Sequence, residues 1–410
     1  MAVDIERLAS KAGRPARPRT GVWLASLVVC VAASTAVMLL FAPPALPMQA
    51  SRSWAVAVGA PVLAWCLLGF VRALVYVGQH HAADAWDAAR EADLALLLCR
   101  GRRSQQVLAV SLQTALRAPG AEQSAHCEAL LEGSVALKAQ PFDIEGDAVR
   151  HSRLAGALDE PVEAVLLRAM KQLIEDLEPA LSQVPATAAL ALLLTTDEGA
   201  MGLLQRDAWQ SAWRESGFCQ AITPFEGVGL AALDDWLDRR ITDQAMLLVV
   251  AMQFAPPVLQ GTAQVAVGLL LGNRRTQTRL APIAYLHRPV QAQGAPPLPL
   301  RNTVLRALDW ATLRPSAVMG VWRAGVSADH DAGLASALAE LMLPARQGED
   351  FLDMDASLGH AGAGSAWLAI AAAALAVQRG AGPQLIFSGD RSAHTDLWCT
   401  ALCPVSSTST

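Results

Sequence analysis

The sequence predicts an α/β domain preceded by a two-helix membrane hairpin, and three observations lead there. Two long uncharged runs lie within the first 77 residues, and short apolar runs alternate with helical patterns after residue 105. A Pro/Gln/Gly-rich linker at 289–300 then divides those patterns into two halves. With 410 residues, 53% of them hydrophobic, the chain can bury a large core.

The hairpin comes first. Residues 1–19 are polar, with Arg7, Lys11, Arg14, Arg17 and Arg19 against Asp4 and Glu6. Gly21 to Ala42 holds no charge and is long enough for a hydrocarbon layer of about 30 Å. A signal peptide would have a shorter apolar core and a small-residue cleavage site, whereas here Pro43, Pro44 and Pro47 follow. A second run, Trp54 to Val71, extends to Val77 if Arg72 snorkels. Trp54 and Tyr76 then mark the two interfaces, and Pro61 is tolerable inside a span. The expected hairpin covers 20–78, with spans at about 21–42 and 54–77. Its short turn carries Arg52, while basic residues collect before the first span and after the second, at Arg72, Arg90, Arg100, Arg102 and Arg103. By the positive-inside rule both termini are cytoplasmic. An inner-membrane protein with two spans is the expectation, and Ala- and Leu-rich, aromatic-poor composition has a bacterial flavour.

Composition excludes several function classes. The net charge is −5 and no Lys/Arg stripe interleaves with aromatics, so nucleic acid is not an expected partner. Seven cysteines occur singly, without zinc-like spacing, which argues against a disulfide framework or a metal site and for a reducing compartment. No Gly-x-Gly-x-x-Gly or P-loop pattern occurs, and no cofactor is expected.

Residues 79–105 read as a charged helical stalk, Ala82 to Leu98 above all. The first half is placed at 106–288. It has an opening strand in QVLAVSLQTAL, helices at 160–181, 203–216 and 229–240, and buried strands at 188–194, 245–253 and 265–271. The second half is placed at 301–404, before a tail at 405–410. It repeats the pattern with helices near 304–308 and 332–343, a strand near 317–322 and a terminal strand pair at 384–387 and 396–401. Between these lies DASLGHAGAGSAWLAIAAAAL, Asp355 to Leu375, a glycine-punctuated loop running into a helix apolar on nearly every face. Alternating elements of this kind imply mostly parallel buried sheets.

The order of these segments resembles the ketosynthase branch of the thiolase fold over about 300 residues, and the resemblance implies a duplicated α/β/α/β/α domain. QVLAVSLQTALRAPGAEQSAHCEALLEGS is similar to that family's opening strand, turn and LLxG helix, and TAQVAVGLLL to the strands closing its first half. GVWRAGVSADHDAGLASAL resembles the segment with the family's first catalytic His, and DASLGHAGAGSAWLAIA its KSNIGH…AASG segment. The resemblance puts the nucleophilic Cys at a helix N-terminus, where the helix dipole and two His make a thiolate available. That helix is Gly229 to Arg240 here, headed by Phe225, Glu226 and Gly227, none of them a thiol. The first His falls on Arg323, which cannot shuttle protons near neutrality. The family Lys falls on Asp355, only the second His persists, as His360, and the closing GFGGTN loop reads SGDRSAH.

Each site residue has a plainer reading. Cys219, the nearest thiol, lies ahead of the helix with Pro224 between, and reads as structural. His360 alone reads as a hydrogen-bonded loop His. His330 and Asp331 adjoin, and neighbours rarely chelate one ion. His80 and His81 read as interfacial, and the acidic run at 234–238 as a solvated helix face. The expectation is therefore a non-catalytic membrane-anchored scaffold or adaptor. The resemblance extends to proteins encoded beside type VI secretion spike genes and implies effector loading, with a secreted effector or spike protein as partner. Ketosynthase-like domains pair through their first-half sheet, which implies a homodimer or a heterodimer with a related thiolase-like subunit. The alternative is an acyltransferase or β-ketoacyl-synthase-type condensing enzyme of lipid or polyketide metabolism, acting through Cys219 or by a route without a Cys.

Overall fold

The computed structural model describes residues 8–17, 19–41, 47–118, 120–142, 147–292, 300–344, 350–389 and 397–405. Most of the linker, the tail beyond 405 and most of the SGDRSAH loop lie outside these residues. Two compact units part between Leu97 and Leu98.

The smaller unit holds α1 (Thr20–Phe41) and most of α2 (Pro47–Gly101), both long and apolar enough to cross a membrane. Apolar all round over their membrane-length stretches, such helices leave large side chains exposed, including Val28, Leu40, Leu63 and Phe70. The two helices pair as a hairpin. The Trp23 and Trp65 rings meet edge-on at 6.1 Å, and the Trp65 indole donates to the Trp23 carbonyl at 3.0 Å. Arg72 lays its guanidinium 5.2 Å from the Trp23 ring centre, which shelters the charge against an aromatic face. Farther along, Arg14 pairs with Asp84 and Asp87, and Arg90 donates to the Ala9 carbonyl at 2.7 Å, so residues 9–14 lie along α2. The stalk pattern is thus a continuation of the second apolar helix rather than a separate element.

The larger unit opens with β1 (Ser104–Gln113), α3 (Gln123–Leu131), β2 (Lys138–Pro141), β3 (Ala148–Ser152) and α4 (Val162–Leu181). It continues through β4 (Leu190–Thr195), α5 (Gly199–Glu215), β5 (Ile222–Pro224), α6 (Gly229–Arg239), β6 (Met246–Gln253), β7 (Thr262–Ala263) and β8 (Val265–Asn273). Then come β9 (Ala284–His287), β10 (Val290–Gln291), α7 (Leu300–Trp310), β11 (Gly320–Ala324), α8 (Asp331–Glu340), β12 (Phe351–Asp353) and α9 (Met354–Ser357). The last elements are α10 (Ser365–Gln378), β13 (Gln384–Gly389) and β14 (Leu397–Pro404).

The main sheet runs β5-β4-β6-β8-β1 and then β9-β14-β13-β11-β12. When the five strands of each half are numbered along the chain, both halves read 3-2-4-5-1. The halves join where β1 and β9 pair antiparallel. Within each half the fifth strand, β8 or β14, runs against its neighbours. The sheet is therefore less parallel than its sequence implied, because a continuous apolar run such as Val265–Leu271 carries no mark of direction. It does carry burial. On β6, Leu247, Val249 and Ala251 enter one core, while Met246, Leu248, Val250 and Met252 enter another on the opposite face.

Helix α10 is the centre of the first of these cores. Every residue from Ser365 to Val377 is buried, and the helix touches β1 and β8 of one half and β11, β13 and β14 of the other. Helix α4 covers the outer face of β1 and β8, and α7 packs on β14. The end of α2 is set into this unit. A Cβ on Gly101 would lie 2.5 Å from the Trp310 indole nitrogen, and Arg100 pairs with Asp238 at 2.8 Å.

Candidate functional site

The loop before α10 is shaped by close approaches that only glycine permits. Gly359 has φ +102°, and a Cβ there would lie 2.7 Å from the Thr262 carbonyl. At Gly362, φ +51°, a Cβ would fall 1.8 Å from the Gln253 side-chain oxygen. That side chain instead donates to the His360 carbonyl at 2.8 Å. The His360 amide donates to the Gly261 carbonyl at 2.8 Å, and its carbonyl accepts from Ala263 at 3.0 Å. His360 is thereby strapped to β7 as a β-bridge, and its ring is 15% exposed.

Its surroundings are ionic. Both Asp355 oxygens accept the Gly325 amide at 3.0 Å, and Asp355 Oδ1 stands 4.0 Å from His360 Nδ1. Arg323, on β11, donates through Nη2 to Asp331 at 2.5 Å, while its Nη1 stands 3.3 Å from Asp353. Asp353 also caps α9, accepting the Asp355 amide at 3.0 Å and the Ala356 amide at 3.1 Å. Arg323, Asp355 and His360 thus lie on adjoining elements of the second half. Sequence reasoning missed Asp353 as the second acid on Arg323. Its signal was the Asp two residues before Asp355 at a helix start, a capping pattern.

The first-half positions lie elsewhere. Phe225 stacks edge-on against Trp236 at 5.1 Å, with the Arg240 guanidinium 5.8 Å from its ring centre. Glu226 is exposed, and Val228, the N-cap of α6, supplies no side-chain cap. Phe225 and Glu226 line an open groove of about 720 Å³ that includes neither Arg323, Asp355 nor His360. Cys219 is exposed in the turn between α5 and β5, its thiol donating to the Gly217 carbonyl at 3.6 Å. Burial pushes the Cys127 thiol up, the Cys403 thiol to about 11 and the Cys399 thiol higher still, away from a nucleophilic state.

The acidic run at 234–238 is only partly a solvated face. Asp235 is half-exposed beside Arg239, but Asp234 and Asp238 turn inward to Arg288, which is fully buried. Arg288 Nε donates to Asp234 at 2.5 Å, and Nη1 stands 2.9 Å from Asp238. Burial pushes the Asp238 carboxyl up, yet hydrogen bonds from Arg288 and Arg100 outweigh it and hold the group below the usual carboxylate range. His330 is buried, and its neighbour Asp331 serves Arg323.

No protein-family model matches the sequence, and no curated protein matches it. Solved structures do. The ishigamide ketosynthase/chain length factor superposes with a TM-score of 0.52 at 15% identity, over 74% of this chain and 99% of that one. The PfaC keto synthase-chain length factor superposes at 0.51 and 11% identity, over 74% of this chain and 43% of that one. Likeness at this identity establishes architecture alone: the larger unit has the ketosynthase form of the thiolase fold.

Proposed function

We propose that this chain is a membrane-anchored, non-catalytic ketosynthase-like adaptor, held on the cytoplasmic face of a bacterial inner membrane by the α1–α2 hairpin. The observation that carries this reading is the state of Arg323. Where the family resemblance calls for a proton-shuttling His, a permanently charged guanidinium is clamped between Asp331 and Asp353. Cys219, the thiol nearest in sequence to the nucleophile position, is exposed in the turn ahead of β5, in the first half. Proteins that look like this beside type VI secretion spike genes give the adaptor its role: holding a secreted effector or spike protein before loading. Pairing with a second copy or a related thiolase-like subunit belongs to the same proposal.

Three measurements test it. Incubated with an acyl thioester, the purified full chain should carry no acyl adduct by intact-mass spectrometry. A stoichiometric adduct on Cys219 would move the protein to the condensing-enzyme alternative. Isolated from its native host, the chain should retain one specific protein, and recovery of lipid-synthesis enzymes alone would remove the adaptor reading. Light scattering that shows a monomer at high concentration would remove the pairing.

A further inference from the structure

The groove beside β5 has features that the fold does not require. Its helical wall is a stripe at i, i+3, i+4, i+7 and i+8 of α5: Arg206, Trp209, Gln210, Trp213 and Arg214. The two indoles lie between the two arginines, and their rings stand 5.6 Å apart. Arg206 and Arg214 are exposed and not ion-paired among the described residues; Arg214 bonds only to Gln210 and Ser211 of its own helix. The opposite wall is Ile222, Pro224 and Phe225, with Glu226 as its one acidic group.

The strand on that wall is an edge. Phe225 donates to the Leu192 carbonyl and Ala221 accepts from Leu190, so these residues face β4. By alternation Ile222 and Pro224 turn their backbone to the open side. Proline has no amide hydrogen, so the open edge offers two carbonyls and a single donor. A regular ladder with another strand, including β5 of a second copy, would be interrupted there, so the pairing proposed above falls to a surface other than this sheet edge, unlike the first-half route that the resemblance implies. Recognition at this groove therefore falls to the side chains, with apolar contact over the half-buried Trp213, which Trp209 backs from the core, and positive charge at both ends.

We propose that this groove docks an extended acidic–apolar segment of a partner protein, two carboxylates bracketing a bulky apolar side chain. This rests on the adaptor reading and names the chemistry of its partner. The spacing follows from geometry. Eight residues of helix separate Arg206 from Arg214 by about 12 Å, which an extended chain covers in about four residues. Carboxylates at i and i+4 of an extended segment then reach one arginine each, while the side chain between them enters the groove.

The test uses the full chain in detergent and two fluorescein-labelled ten-residue peptides with the same Leu-Phe centre. One peptide brackets that centre with aspartates four residues apart, the other with lysines. Fluorescence anisotropy should report binding of the aspartate peptide alone. The double variant Arg206→Glu/Arg214→Glu should weaken that binding about tenfold or more and accept the lysine peptide instead. Trp213→Ala should weaken the aspartate peptide and also lower the unfolding temperature, since Trp213 packs on Trp209 and Phe218, whereas the surface charge reversal should leave unfolding unchanged. Equal binding of both peptides, no binding of the aspartate peptide, or indifference to the charge reversal would overturn the proposal. So would a dimer by light scattering that Trp213→Ala converts to monomer, since a second copy would then occupy the groove. The peptide measurements decide the groove alone, whereas isolation from the native host decides the adaptor reading.

Discussion

Helices α6 and α10 hold equivalent places, each leading into the fourth strand of its half. They are built on opposite principles. Helix α10 is apolar on every side and needs only space. Helix α6 buries Leu230, Leu233, Trp236 and Leu237 but also Asp234, so it needs a buried counter-charge. The same slot in a duplicated fold can thus be filled by packing or by an ion-pair network. The two solutions should fail differently. Arg288→Ala would leave Asp234 and Asp238 facing each other without their shared cation, at a cost of about 3–5 kcal/mol. Thermal unfolding of the full chain in detergent measures it. Adding Asp234→Asn and Asp238→Asn should restore part of the loss, and a double-carboxamide variant no better than Arg288→Ala would show that Arg288 acts through packing.

Each half also buries one histidine that resists protonation. Burial, aided by Arg117, lowers His126 to about 4, and burial, aided by Arg274, lowers His287 to about 4. In the unfolded chain both return to about 6.5. The unfolded state therefore binds more protons between these values, and stability rises with pH in that window. It is full above about pH 6.5 and declines as pH falls toward 4, by about 3 kcal/mol per histidine. His126→Gln and His287→Gln should each flatten the fall in unfolding temperature between pH 6.5 and 4.5. If one variant alone flattens it, the halves are not equivalent in this respect.

The loop before α10 permits a finer comparison. Gly359→Ala places a Cβ at φ +102° against the Thr262 carbonyl and should destabilise by about 2 kcal/mol. Gly364→Ala meets only Val265 Cγ2 at 3.6 Å and should stay within about 0.5 kcal/mol of the parent. Hydrogen exchange at Ala263, whose amide binds the His360 carbonyl, would read the strap directly. Equal effects from the two glycines would mean that the strap to β7 is not what holds the loop.

What the sequence could disclose follows from range. Strands such as Met246–Gln253 are buried on both faces, so their identity is local and survives as an unbroken apolar run. The all-apolar α10 is legible for the same reason. Strand direction, the antiparallel β8 and the small β2-β3-β7 sheet that holds His360 depend on partners far along the chain. The acidic run at 234–238 shows the limit best. Its spacing reads as a solvated face, and only Arg288, 50 residues or more away in the chain, draws two of its carboxylates inward. The site behaves likewise, since Arg323 was visible in the sequence but the second acid that clamps it was not.

The smallest expected effect bears on the largest functional question. Cys219 is exposed and its side chain makes one weak contact, to Gly217, so Cys219→Ala should change stability by no more than about 0.5 kcal/mol. An adaptor loses nothing else, and partner retention should be unchanged. A condensing enzyme acting through this thiol would lose turnover altogether, because the thiolate is the group that takes the acyl chain. The comparison with Arg323→His sharpens this. That variant puts an imidazole on β11 but removes the cation between Asp331 and Asp353. In an adaptor it should cost about 1–3 kcal/mol and add no acyl transfer, because the positions at the head of α6 still carry no thiol. Acyl transfer gained in Arg323→His and lost again with Cys219→Ala would show that a catalytic pair lies within reach across the two halves.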